Sequence, residues 1–220
     1  MKEILTSAAK YISEMIDVVT NHGIWKILEV IIITMMLAMA LNPEIILKIA
    51  EREKAKIAIE KKEFRKENDP LIRSALHDAI YEVGACRASV LEFHNGKENP
   101  SGLGFFYADM NYEIVRDTKV FISDQYQNIN LSLLELPNIL YNNGFWYGSV
   151  EELRKVDPKL GSMIASNGTN WIAFLLLESS VELGILEMSF IAEPKNKQEV
   201  GREIRKLGTI VSSKLDFKRE

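Results

Sequence analysis

The sequence predicts an α+β chain: one antiparallel sheet of about five strands flanked by helices, preceded by a transmembrane helix and a charged stalk helix. Three observations predict it. Strand-like stretches rich in β-branched and aromatic residues cluster between 87 and 192. A helical period of 3.6 residues brackets that cluster, at 70–83 and again at 197–217. Upstream, 24–41 (IWKILEVIIITMMLAMAL) is apolar over about the thickness of a bilayer.

Residues 2–20 read as an amphipathic helix. Ile4, Ala8, Tyr11, Ile12, Met15, Ile16 and Val19 share one side, with Lys2, Glu3, Lys10, Glu14 and Asp17 opposite. Such a helix lies on a membrane surface, pairs with a copy of itself, or stays solvated with one sticky face. Asn21-His22-Gly23 ends it. From 30 to 41 there is no charge and a single hydroxyl, Thr34. As a helix, 24–41 is about 27 Å long. Lys26 and Glu29 lie near one end, where long side chains snorkel, and Trp25 sits where an interfacial aromatic belongs. The plainer alternative is a buried core helix. Length and flanks favour a single pass through a bacterial or host inner membrane.

Asn42-Pro43 makes a joint, because proline fits the first turn of a new helix. Residues 44–67 then interleave Lys and Arg with Glu, leaving a thin apolar seam of Ile45, Ile46, Ile49, Ile57 and Phe64. This is a solvated stalk or a short coiled coil. Its surplus of Lys and Arg over the N-terminal flank favours a cytoplasmic globular domain. The predicted organisation is therefore an amphipathic helix at 1–23, a span at 24–41, a stalk at 42–68 and a globular domain at 69–220.

Asp69-Pro70 reads as an N-cap and N1 proline opening that domain. A helix at 70–83 turns Leu71, Ile72, Ala75, Leu76, Ala79, Ile80 and Val83 inward and is closed by Gly84. Strands follow at 87–94 and 105–115, joined through the turn and extended loop 95–104 (NGKENPSGLG). Residues 117–143 are less regular, with a helix at 131–141 interrupted or kinked at Pro137. A short aromatic strand, Phe145-Trp146-Tyr147, leads into loop and helix at 149–168, where Ser149 with Glu152 fits a capping box and Asp157-Pro158 a second cap. Residues 171–177 and 183–192 form a hairpin, and 197–217 is a closing helix with Val200, Ile204, Leu207, Val211 and Leu215 on one face.

Formal net charge is −4, which argues against nucleic acid as a partner. One cysteine, Cys86, excludes an intramolecular disulfide and reads as a small buried hydrophobe, and the three histidines show no metal-ligand spacing. The most suggestive cluster is Glu92, His94 and Asn95. Glu92 and His94 are two apart on a strand and share a face, so with Asn99 and Ser101 they could bind a polar small molecule. The competing reading is a strand end, with His94 and Asn95 bonding the turn. No serine sits in a nucleophile elbow, Gly102 and Gly104 make no phosphate loop, and Glu178, Glu182 and Glu187 read as solvated. Phe105, Phe106, Tyr107, Phe145, Trp146 and Tyr147 read as sheet core. No catalytic residue, metal or cofactor is expected.

Three stretches, CRASVLEFHNG, the helix followed by NNGFWYG, and NWIAFLLL with ELGILEMSF, resemble a GAF/PAS-like sensor domain over roughly residues 70–217. The whole plan also resembles the holin of T-even phages, carried by EREKAKIAIEKKEF, LGILEMSF and the closing helix with its basic end LDFKRE. The holin resemblance implies lysis by lateral oligomerisation in the bilayer, with Thr34 and Ala38 on one helix face permitting close packing. The GAF resemblance implies a membrane-tethered sensor or scaffold that binds a small ligand or a regulatory protein. The expectation is a membrane-anchored, non-enzymatic homo-oligomer of holin type, with the tethered sensor as the alternative.

Overall fold

The structure, a computed structural model, describes residues 13–14, 26, 28–29, 31–34, 36, 43–98, 104–116, 120–179 and 182–218. It divides into two compact units, Met1–Glu60 and Lys61–Glu220. In the first unit the described residues between 13 and 36 are helical, and α1, Pro43–Val83, begins there. The amphipathic helix expected at 2–20 otherwise falls outside the described residues, as does most of 24–41, including Ala38. Among the described residues no helix is long and apolar enough to cross a membrane.

α1 departs from expectation at Asp69-Pro70, where a helix start was predicted and none occurs: Pro70 lies inside the helix. An interior proline costs about 3 kcal/mol through its lost donor and ring clash. Against that cost, α1 buries Ile72, Leu76, Ala79 and Ile80, so packing of a continuous face outweighs the local signal. Leu71, expected inward, is 50% exposed. Gly84 ends α1 at φ +68°, a left-handed conformation natural to glycine.

The second unit is built on a six-stranded sheet in the order β3-β2-β1-β6-β5-β4. Its strands are β1, Arg87–Glu98; β2, Gly104–Val115; β3, Ile129–Asn130; β4, Phe145–Ser149; β5, Trp171–Glu178; and β6, Glu182–Phe190. Every pairing is antiparallel. The count exceeds the expected five by β3, whose two residues pair with Tyr107 and Ala108. So short a strand carries no period-2 pattern, and it lies in the stretch read as irregular. Nearby, the helix predicted at 131–141 is instead a 3-10 turn, Leu131–Leu133, followed by α2, Leu136–Asn143. Pro137 sits in the first turn of α2 and starts the helix rather than kinking it.

The sheet is covered on both faces. On one, α1 and α5 (Lys197–Leu215) lay Ile72, Leu76, Ile204 and Val211 over Ala88, Val90, Leu186 and Met188. All five residues expected on the inner face of α5 are buried. On the other face, α2, α3 (Val150–Val156), α4 (Pro158–Ser166) and residues 122–134 lay Ile122, Leu140, Leu153 and Ile164 over Leu91, Met110, Ile172 and Phe174. Backbones approach closely where β6 meets β1: a Cβ on Gly184 would stand 2.1 Å from the carbonyl oxygen of Leu91.

Two caps order the helices of the second face. Ser149 and Glu152 form the predicted capping box on α3. Asp157 does more than its sequence signal indicates. Its Oδ1 accepts from Leu160 N at 2.9 Å, capping α4, while Oδ2 accepts from Glu135 N at 2.8 Å and Leu136 N at 3.1 Å, capping α2. Asp157 is 1% exposed, so these amides have no water to turn to. Asp157→Ala is expected to cost about 2–4 kcal/mol, two caps and their buried donors together, read as a lowered urea midpoint. A loss under about 0.5 kcal/mol would show that the shared cap is not needed.

Candidate functional site

Alternation along three neighbouring strands brings a charged layer into the interior. On β1, Ala88 and Val90 face α1 and α5, so Arg87 and Ser89 face α2–α4. The same rule turns Glu113 of β2 and Glu187 and Ser189 of β6 to that side. In register, Ser89 stands between Glu113 and Glu187, and Arg87 lies across from Ser189. All five are buried, Ser89 and Ser189 completely.

The bonds divide these groups into a satisfied half and an unsatisfied one. Arg87 Nε donates to Glu113 Oε1 at 2.8 Å, and Arg87 Nη2 donates to the Val120 carbonyl at 2.8 Å. Glu113 also accepts the backbone N–H of Ile122 (2.9 Å to Oε2) and of Ser123 (2.8 Å). The pair thus grips the backbone of residues 120–123 from below. Glu187 accepts from Ser189 Oγ at 2.7 Å. Arg87 Nη1 is buried without a hydrogen-bond partner, while the Ser89 hydroxyl turns to the Glu187 carboxyl. Above them Tyr126 is buried, its hydroxyl accepting from Asn167 Nδ2 at 2.9 Å. Burial pushes the Glu187 carboxyl up from its ordinary range, against the Ser189 bond, the Arg87 charge and the Ser89 bond, and the Glu113 carboxylate adds to the rise. Burial likewise raises the Tyr126 phenol.

Glu187, expected to be solvated, is 3% exposed. The expectation erred because a glutamate in a short strand near a hairpin is usually at the surface, and only pairing places this one over the core. Arg87, Ser89, Glu113 and Ser189 were not singled out by the sequence at all. The signal present was the alternation of Arg87, Ser89 and Leu91 on β1 against Glu92 and His94, which puts the two sets on opposite faces.

Glu92 and His94 do share a face, the one toward α1. Arg65 of α1 pairs with Glu92 Oε2, and Asn111 Nδ2 donates to Glu92 Oε1 at 3.1 Å. His94 Nε2 stands 3.2 Å from Asp109 Oδ2, and its ring stacks on Tyr107 with centroids 6.0 Å apart. Asn95 lies in β1 with its side chain outside the described residues, and Asn99 and Ser101 lie outside them altogether. Thr34 is among the described residues and Ala38 is not. Cys86 is buried, donating from Sγ to the Ser189 carbonyl at 3.3 Å. Among the described residues no group of His, Cys, Asp or Glu is placed to hold a metal ion. A groove of about 620 Å³ between β5 and α5 offers little free charge: Arg205 packs on Phe145 and Lys218 pairs with Asp216.

No protein-family model matches the sequence, and no curated protein matches it. Solved structures do match the fold. The blue-light-absorbing form of the PixJ GAF domain from Thermosynechococcus elongatus superposes with a TM-score of 0.52 at 12% identity, covering 69% of this chain and 88% of that one. The GAF domain of a two-component sensor histidine kinase from Bacillus halodurans gives 0.51 at 11%, covering 67% and 92%. The chromophore-binding domain of the R. palustris bacteriophytochrome RpBphP3 gives 0.51 at 10%, covering 73% and 60%. The second unit therefore has a GAF-like fold. Neither the fold nor these neighbours support the resemblance to the T-even phage holins.

The position of Glu187 sets a pH dependence. Its folded carboxyl binds protons more tightly than the unfolded one, whose pKa is about 4.3. The stability it contributes is complete below that value and is lost as pH rises toward the folded pKa. Each unit of that rise is worth about 1.4 kcal/mol. Glu187→Gln should flatten the decline in stability as pH rises above the unfolded carboxyl's range, measured by urea denaturation. An unchanged slope would remove Glu187 as its source.

Proposed function

We propose that the second unit is a non-enzymatic GAF-like sensor domain that binds a small ligand on the α2–α4 side of its sheet. The observation that carries the reading is a buried, unpartnered guanidinium nitrogen, Arg87 Nη1, in a layer that also holds Ser89 and Glu187. Burying such groups without partners costs free energy, so a fold that keeps them does so where something completes them. A guanidinium donor, a hydroxyl and a carboxyl side by side complement a group with a donor and an acceptor on one edge, such as a ring amide. The GAF-like fold supports the reading, since the solved neighbours include a chromophore-binding domain and a sensor-kinase domain.

Native mass spectrometry of the full chain should reveal a co-purifying small molecule, or a panel of nucleosides, nucleotides and lactams should contain a compound that raises the melting temperature. Ser89→Ala, which removes the hydroxyl and nearly keeps the volume, should weaken that binding about tenfold or more. An empty protein that no member of the panel stabilises sinks the reading.

We further propose that the 24–41 run tethers this sensor to a membrane. Its support is the uncharged stretch from 30 to 41 and the exposure of Leu28, Ile31, Ile32, Ile33 and Met36 on helical residues. Alkaline carbonate should leave the full chain in the membrane pellet, and release into the supernatant ends the proposal.

A further inference from the structure

Arg65 of α1 reaches across to two strands at once. Its Nη1 donates to the Tyr112 hydroxyl of β2 at 2.6 Å, while Nη2 pairs with Glu92 of β1. The Tyr112 hydroxyl in turn donates to Asp69 Oδ1, one helical turn beyond Arg65. Arg73, two turns along, stacks over the Tyr112 ring at 5.5 Å. Tyr112 is 3% exposed, and burial together with the Asp69 bond holds its phenol well above the ordinary range. The joint between α1 and the sheet is therefore polar and directional where the rest of that face is apolar.

This joint sits at an irregularity in the ladder. The β1–β2 register shifts between Val90 and Leu91, leaving Asn111 as the extra residue on β2. Asn111 Nδ2 holds the second oxygen of Glu92. The next residue but one, Glu113, points to the opposite face and grips the backbone of 122–123. Tyr112 and Glu113 are consecutive, so the segment covering the α2–α4 face and the helix on the α1 face are held by adjacent residues of one bulged strand. Bulges bend and re-aim a strand at lower cost than a regular ladder allows.

We infer that the Arg65–Glu92–Tyr112–Asp69 network couples the α2–α4 face of the sheet to α1, which serves as the element that changes with the state of that face. The inference rests on the sensor reading only in treating the change in α1 as an output. Coupling of this kind is a free energy between two sites and shows as non-additivity.

Hydrogen–deuterium exchange on the full chain, without ligand, tests it. Arg65→Met and Tyr112→Phe should each speed exchange in 61–69 about tenfold or more while leaving β5 protected. Glu113→Gln should also speed exchange in 61–69, and in the Arg65→Met background should add less than about twofold. Arg87→Lys, which keeps the charge, replaces Glu113→Gln if that variant does not fold. The inference is overturned if neither Arg65→Met nor Tyr112→Phe changes 61–69, or if the face variant acts equally in both backgrounds. Since no ligand is added, a negative result here leaves the binding experiment to be judged separately.

Discussion

The ion pair of Arg87 with Glu113 is the constraint on which the second unit depends. Both side chains are 2% exposed, and between them they hold the Val120 carbonyl and the amides of Ile122 and Ser123. The Ile122 and Ser123 amides open the 3-10 turn Ser123–Gln125 and have no partner within it, so Glu113 is what lets that turn lie beside the sheet. Removing one partner of a buried pair costs about 3–5 kcal/mol, as the remaining charge has neither water nor a counterion. The pair therefore fixes where the cover of the α2–α4 face begins, and Tyr126 and Leu131 follow from that anchor into the core.

Burial on both faces explains why register matters so much here. A slip by one residue in this sheet would exchange Ala88 and Val90 with Arg87 and Ser89. Charged side chains would then meet Ile72 and Leu76 of α1. The polar layer acts in this way as a register key, matched by Glu113 and Glu187 on either side of Ser89. Close approach at Gly184 pins the opposite edge of β1 in the same manner.

The two polar networks differ in kind. On the α2–α4 side the layer is almost wholly withdrawn from solvent and incompletely bonded, which suits a place that a ligand or ordered water completes. On the α1 side the Arg65 network is half-buried and closed upon itself, which suits a joint that opens and reforms. Their shared strand, β2, carries the bulge at Asn111, next to the residues it lends to both.

By itself the sequence determined the helices with strong amphipathic faces, the capping box at Ser149, the β5–β6 hairpin and the GAF-like order of elements, because periodicity, caps and turn residues act over a few positions. It also isolated Glu92 and His94 on one face of β1. Tertiary structure alone decided that Pro70 lies inside a continuous helix, that a two-residue β3 completes the sheet, and that Asp157 caps two helices. It decided too that Glu187 is buried beside Arg87, Ser89 and Glu113. The physical reason is common to all of these. Each depends on which strands or helices become neighbours, and pairing between residues 21 to about 100 positions apart leaves no local pattern to read.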